Sequence, residues 1–253
     1  MYVGEEKIIQ PLFNRELPGV VHGTVSRYGG VSEGLFTSNN ISFGVGDDVH
    51  NVSRNRETIK RRFGLEYLVS AHQVHGSRMH QVKPPINSDY IADESDALMT
   101  NVTGVGLMIG HADCQAVLLY DEPNRAVAAV HNGWRGSVAN IVASTITAMQ
   151  EKYGTQPEHL VAGIGPSLGP CCAEFVHYEE ELPLSFQRYK VGDNHFDFWE
   201  ITRDQLIRSG VPDRSISCAR ICTLCSADFF SYRRACRMTK GVTGRNGSLI
   251  ALR

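Results

Sequence analysis

The chain has 253 residues, 42% of them hydrophobic, and a formal charge of -2 with its histidines neutral. That is enough apolar material for a sizeable core, in one large domain or two small ones. The balanced charge excludes the broad basic surface that nucleic acids and anionic membranes select, and no apolar run approaches the length needed to cross a bilayer. The clusters Lys60-Arg61-Arg62 and Arg233-Arg234 are local, and the first reads as a solvated face. The opening Met1-Tyr2-Val3-Gly4-Glu5-Glu6-Lys7 lacks a basic stretch followed by an apolar one, so it does not read as a signal peptide. A soluble, cytoplasmic protein is expected. Seven cysteines cannot all pair internally, which in a reducing compartment points to free, metal-bound or catalytic thiols.

The first helix is predicted over residues 52–63. Val105-Gly106-Leu107-Met108-Ile109 reads as a short buried strand, followed by a tight turn at Gly110-His111-Ala112-Asp113. Ala116-Val117-Leu118-Leu119-Tyr120 and Ala126-Val127-Ala128-Ala129-Val130 read as a hairpin. The turn signal Asp121-Glu122-Pro123-Asn124 lies between them, and His131 stands at the end of the second strand. Ser137 is predicted to cap a helix reaching about Lys152, with Ile141, Thr145, Ala148 and Met149 on one face and Tyr153-Gly154 at its end. A strand over Leu160-Val161-Ala162-Gly163-Ile164 comes next. A helix over residues 198–209 follows, with Leu206 and Ile207 inward and Gly210 as its stop. Ser248-Leu249-Ile250-Ala251-Leu252 reads as a closing strand. No repeat, low-complexity segment or linker divides the chain. The pattern predicts one domain over residues 1–253, of α+β class: a layered α/β sandwich of mixed sheets flanked by helices.

His75, Cys114 and His131 carry the clearest chemical signal. Two imidazoles and a thiolate suit zinc, and three protein ligands leave one tetrahedral position open, as in catalytic sites. Cys114 follows His75 by 39 residues and His131 follows Cys114 by 17, unlike the close ligand pairs of zinc fingers. Spacing alone also fits three unrelated polar residues at strand ends, with Cys114 a small core residue. Asp113 could orient a ligand histidine, act as a base, or bond nearby backbone in its turn. His72 and His111 flank the ligands and could carry protons or be structural imidazoles. Arg27, Arg135 and Arg245 each adjoin Gly or Ser and Arg233 lies two residues after Ser231, places where a fixed guanidinium fork can meet phosphate. Cys171 and Cys172 lie in a Gly/Pro-rich loop. Cys222 and Cys225 form a lone Cys-x-x-Cys pair, weak evidence for redox chemistry or zinc.

A set of motifs runs nearly the whole length. It includes Ser26-Arg27-Tyr28-Gly29-Gly30-Val31-Ser32, Asn39-Asn40-Ile41-Ser42, Gln73-Val74-His75-Gly76 and Asp96-Ala97-Leu98. Ala112-Asp113-Cys114, Gly133-Trp134-Arg135-Gly136, Gly163-Ile164-Gly165-Pro166, Phe230-Ser231-Tyr232-Arg233-Arg234 and Thr243-Gly244-Arg245 continue it. With these the chain resembles the YfiH-type family, also called the polyphenol oxidoreductase laccase-domain family.

The resemblance implies a purine nucleoside phosphorylase with adenosine deaminase activity, acting on purine nucleosides and phosphate as a monomer or homodimer. It places one catalytic zinc on His75, Cys114 and His131, with copper as the alternative ion. It places the motifs of Arg27 and Arg135 around the active centre; with their positions in the chain this gives Asp113, His72 and Arg135 as the expected catalytic residues and Arg27, Asn40 and Arg233 as the expected substrate-binding ones. Three residues depart from the family's pattern: Asn39, Gln115 and Asn132. None of them removes a ligand, and they bear on substrate preference more than on metal binding. Two other functions compete. A multicopper laccase needs repeated His-x-His pairs, and none of the 10 histidines forms one. A cysteine hydrolase would use Cys171 or Cys172 as nucleophile.

Overall fold

The structure, a computed structural model, describes residues 8–9 and 17–253. In chain order the elements begin with β1 (Ile8–Ile9), β2 (Val20–Val25), α1 (Val49–Phe63) and β3 (Tyr67–Ala71). Then come β4 (Met79–Gln81), β5 (Tyr90–Ala92), β6 (Ala97–Thr100), β7 (Val105–His111), β8 (Gln115–Asp121) and β9 (Ala126–Asn132). The rest are α2 (Trp134–Val138), α3 (Ile141–Tyr153), β10 (Leu160–Ile164), α4 (Tyr178–Glu181), α5 (Phe198–Arg208), β11 (Ile216–Cys218), α6 (Tyr232–Met238) and β12 (Asn246–Leu252).

The strands form two six-stranded mixed sheets, ordered β1-β2-β12-β7-β3-β5 and β11-β10-β8-β9-β6-β4. Period-two alternation explains how they stack. Leu107 and Ile109 of β7, Leu118 and Tyr120 of β8, and Val127 and Ala129 of β9 meet in one core between the sheets. The intervening residues face outward but are covered. Met108 packs with Ile59 and Phe63 of α1. Val117, Leu119, Ala128 and Val130 pack with Ile146 and Met149 of α3 and with Leu206 of α5. Both faces of each central strand are therefore buried, so these strands read as unbroken apolar runs. Each fully buried aliphatic side chain here contributes about 1.5–3 kcal/mol, which makes the double-sided strands the rigid scaffold for what they carry. Among the described residues, no helix is long and apolar enough to cross a membrane.

The layered α+β class and the β8–β9 hairpin match the expectation. Three local expectations are corrected. Ser137 does not cap the long helix; it is buried within α2 and its hydroxyl donates to Asn132 Oδ1. The chain breaks at Asn140, whose left-handed φ of 54° and side chain, accepting from the Ala143 N–H, start α3. His111 lies in β7 rather than in a turn, because β12 pairs it with Asn246 and so extends the strand. Ile207 is on the exposed side of α5 while Leu206 is buried, since one helical residue turns the face by about 100°. Gly210, at φ 94°, ends that helix as expected.

Candidate active site

β7 belongs to one sheet and β8 to the other, so the short link Ala112-Asp113-Cys114 carries the chain across the sandwich edge. His75 arrives from the segment between β3 and β4, and His131 from the end of β9. The donor atoms of His75, Cys114 and His131 all lie within 4.8 Å of one another, and Cys114 Sγ is 3.9 Å from His75 Nε2. Tetrahedral zinc with such ligands needs donor separations of roughly 3.3–3.8 Å, so the set closes on an ion with small adjustments. Gly133 keeps the centre open: a Cβ there would stand 3.2 Å from both Cys114 Sγ and His75 Cδ2.

One residue that sequence reading left without a role organises all of this. The Asp96 carboxylate is fully buried. Its Oδ1 accepts from His131 Nδ1 at 2.8 Å, which fixes the tautomer and leaves Nε2 for an ion. Oδ1 also accepts the backbone N–H of His75 at 3.0 Å, and Oδ2 accepts those of Val74 and Gly76 at 3.2 and 2.7 Å. His75 has φ 59°, a conformation that a non-glycine residue holds only with outside support, and Asp96 supplies it. Burial disfavours the carboxylate, but His131 and the N–H donors outweigh it and hold its pKa below the ordinary range. Its signal was the short Asp96-Ala97-Leu98 motif. Gln73 braces the same segment, donating to Gly110 O and accepting from Gly110 N–H.

Cys114 carries the negative charge a cation needs, whereas a cation at His131 would displace a proton from its ring. Burial opposes the Cys114 thiolate, yet the adjacent His131 and His75 bring its pKa down to about 6. Burial also opposes a charged His131, but Cys114 and Asp96 raise it to about 9. The three donors open on a cleft of about 760 Å³, also lined by His72, Arg56, Phe43, Tyr232 and Arg245. Two other surface depressions, by Glu122 and Arg214 and by Arg54 and Asp89, hold none of these donors.

The remaining sequence-predicted residues fall in different places. His72 is exposed on the cleft wall. Both Asp113 oxygens are engaged, by Thr223 Oγ1 at 2.7 Å and by the Arg233 N–H at 2.6 Å. Asp113 thus pins the crossing link, whose φ of 91° at this residue needs such support. The Arg233 side chain donates to Glu174 O. Arg27 donates to Thr37 O and lies 4.8 Å above the Phe230 ring. Arg135 is exposed, over the Trp134 ring. Neither lines the cleft. Asn40 is fully buried; its amide donates to Asp47 and Ser42 O, and its Oδ1 accepts from Ser42 and Arg245 N–H. It supports the backbone of Arg245 instead of facing a ligand. Among the four arginines noted in the sequence, Arg245 is the one on the cleft.

Two of the departures from the family's pattern explain each other. Gln115 and Asn132 are paired across β8 and β9. Asn132 Nδ2 and Thr202 Oγ1 both donate to Gln115 Oε1 in a buried network, and Gln115 Nε2 donates to Phe198 O. They tie the hairpin to α5. Asn39 is likewise buried, donating to Ser26 O.

His111 is buried behind the ligands, with Nε2 2.8 Å from Ser248 Oγ. Burial first, then the charges of His131 and Arg245, lower its pKa to about 3. It stays neutral in the folded protein, whereas the unfolded chain takes up a proton below about pH 6.5. Stability is therefore full above that value and falls as pH drops toward 3. At pH 5 His111 alone removes about 2 kcal/mol. Denaturant unfolding at pH 7 and pH 5 checks this, and His111→Gln flattens the difference.

The model of the family described as multi-copper polyphenol oxidoreductase laccase matches residues 21–253. A purine nucleoside phosphorylase of Bacteroides thetaiotaomicron is 36% identical over 239 residues, covering 85% of this chain and 86% of that one. The purine nucleoside phosphorylase YlmD of Geobacillus stearothermophilus is 32% identical over 93% of this chain and 91% of its own. Among solved structures, Bacillus licheniformis YfiH superposes with a TM-score of 0.84 at 29% identity, covering 95% of this chain and 99% of its own. Fold, motif order and the length matched agree: the chain belongs to the multi-copper polyphenol oxidoreductase laccase family, and its YfiH and YlmD relatives share its architecture.

Proposed function

We propose that the protein is a zinc-dependent purine nucleoside phosphorylase. It would convert inosine, guanosine, adenosine and methylthioadenosine to the free base and the corresponding ribose 1-phosphate, and would also deaminate adenosine. The observation that carries this reading is the meeting of the His75, Cys114 and His131 donors with Arg245 in one cleft. The names of the relatives supply the substrate class. Zinc, when bound by the three donors, supplies Lewis acidity in the cleft.

Arg245 is the phosphate-binding candidate. Its Nη1 donates to Thr243 O and Gly244 O, which fixes the guanidinium plane. Its other N–H groups make no hydrogen bond among the described residues, so a bidentate anion contact is open to them. The apolar wall of Ile41, Phe43 and Ile91 suits the flat purine. In phosphorolysis a phosphate oxygen forms the new bond to C1′ as the bond from C1′ to N9 breaks, and its electron pair passes to the purine. His72, exposed on the cleft wall, would deliver the proton to the departing base. In deamination water adds at C6 and ammonia leaves, and the same imidazole would carry the proton between them. Asp113, Arg233, Arg27 and Asn40 act here by holding backbone in place.

Arg245→Ala is expected to raise the KM for phosphate about 10–100-fold while changing the KM for inosine much less, the loss expected for a charge-assisted hydrogen bond. Coupled assay of ribose 1-phosphate at varied phosphate checks it. Equal changes in both constants contradict this role.

The geometry does not favour the competing functions. Among the described residues the His and Cys clusters able to hold an ion are the two-histidine, one-cysteine set and a set of four cysteines, with no histidine-rich cluster for a multicopper centre. Among the described residues Cys171 and Cys172 cluster with Cys222 and Cys225, a set that contains no imidazole. Burial and thiol neighbours push the Cys171 pKa up to about 11 and raise Cys172 also, the reverse of what a thiolate nucleophile needs.

A further inference from the structure

Sequence spacing presents Cys222 and Cys225 as a pair without a second pair to complete a four-ligand site. The fold supplies the second pair. Cys171 and Cys172, some fifty residues earlier, stand against them, and the four sulfurs all lie within 4.8 Å of one another. Cys172 Sγ is 3.5 Å and Cys171 Sγ 3.7 Å from Cys225 Sγ. Tetrahedral zinc with sulfur ligands at 2.3 Å requires sulfur separations of about 3.8 Å. All four are free thiols.

We propose that Cys171, Cys172, Cys222 and Cys225 form a tetrathiolate site for a structural zinc ion, separate from the cleft. Four thiolates saturate a tetrahedral ion, so this site has no open position and does no chemistry on substrate. The surrounding backbone is built for it. Cys172 N–H donates to Gly169 O and Ser226 N–H to Cys222 O, which shapes a tight turn on each side. Gly169 cannot be replaced without disruption, because a Cβ there would lie 2.7 Å from Trp199 Cη2 and 3.2 Å from Cys222 Cβ. The Arg234 guanidinium donates to Thr223 O, Leu224 O and Ser226 O, each at 2.7 Å, and sets a positive charge beside an ion site whose net charge would be negative.

The position gives the ion a purpose. The two cysteine-bearing segments are joined by Ser167 N–H to Ile221 O and Thr223 N–H to Ser167 O. From there Thr223 Oγ1 and Leu168 N–H bond to Asp113, the residue before Cys114. A zinc crosslink between the segments would hold the left-handed turn that presents Cys114 to the cleft.

Metal analysis of the purified holoprotein tests the proposal. Wild-type protein is expected to hold two equivalents of zinc per chain, and Cys114→Ala to keep the one on the four cysteines. The double variant C171S/C225S is expected to lose one equivalent. Where that variant fails to fold, alkylation of the native protein decides. All four thiols should resist an alkylating reagent until a chelator removes zinc, and then react together. Absence of zinc from Cys114→Ala, unchanged zinc in C171S/C225S, or immediate alkylation of the native thiols would each overturn the proposal. So would a disulfide among the four cysteines in protein made and purified without oxygen.

Discussion

Cys114→Ala is expected to empty the ion position between His75 and His131 and to lower phosphorolysis of inosine by at least about 10³-fold. The site has three donors and none to spare. Removal of the thiolate leaves two imidazoles and takes away the one anionic donor of the set. The fold should survive, because Cys114 lies in a link between sheets and not in the core between them. Steady-state rates with inosine and a thermal melt on the same preparation separate the two effects. Full activity with an unchanged melt contradicts the metal role.

Asp96→Asn is the second large effect. The substitution keeps the shape and removes the charge. The amide still offers one acceptor, but its NH₂ faces the N–H groups that now converge on the carboxylate from Val74, His75 and Gly76. The His75 turn loosens and the His131 ring loses its anionic partner. Metal affinity should fall about 10–100-fold, the usual cost of removing such a partner of a metal ligand. Competition with a chelator measures it. Excess zinc should restore much of the activity, which a merely misfolded variant would not show. An unchanged affinity means that Asp96 supports backbone alone.

The parts of the molecule legible in the sequence are those where local pattern and final environment agree. The β8 and β9 runs, with a strong turn signal between them, read as a hairpin because each strand is buried on both faces. His75, Cys114 and His131 stand out in the sequence because their motifs are short and distinctive, and the fold brings their donor atoms together. What escaped depends on contacts distant in sequence. Asp96 meets His75 and His131 only once β6 pairs with β9. The cysteine pairs 171–172 and 222–225 become one cluster only through the link at Ser167 and Cys222. The arginines show the reverse failure: the resemblance places the motifs of Arg27 and Arg135 around the active centre and so favours them over Arg245. Burial and partners separate them, placing Arg245 on the cleft and the other two against Phe230 and Trp134. The start of α3 was misread because the Ser137 hydroxyl is spent on Asn132, a contact across the fold and not along the helix.

The central claim, that one metal-bearing cleft uses phosphate to split purine nucleosides, is tested most directly by incubating the purified protein with inosine in the presence and absence of phosphate. Hypoxanthine and ribose 1-phosphate are expected in equal amounts, formed only with phosphate and lost in Cys114→Ala. Hypoxanthine released equally well without phosphate, with free ribose as the second product, would contradict it and make the protein a nucleoside hydrolase.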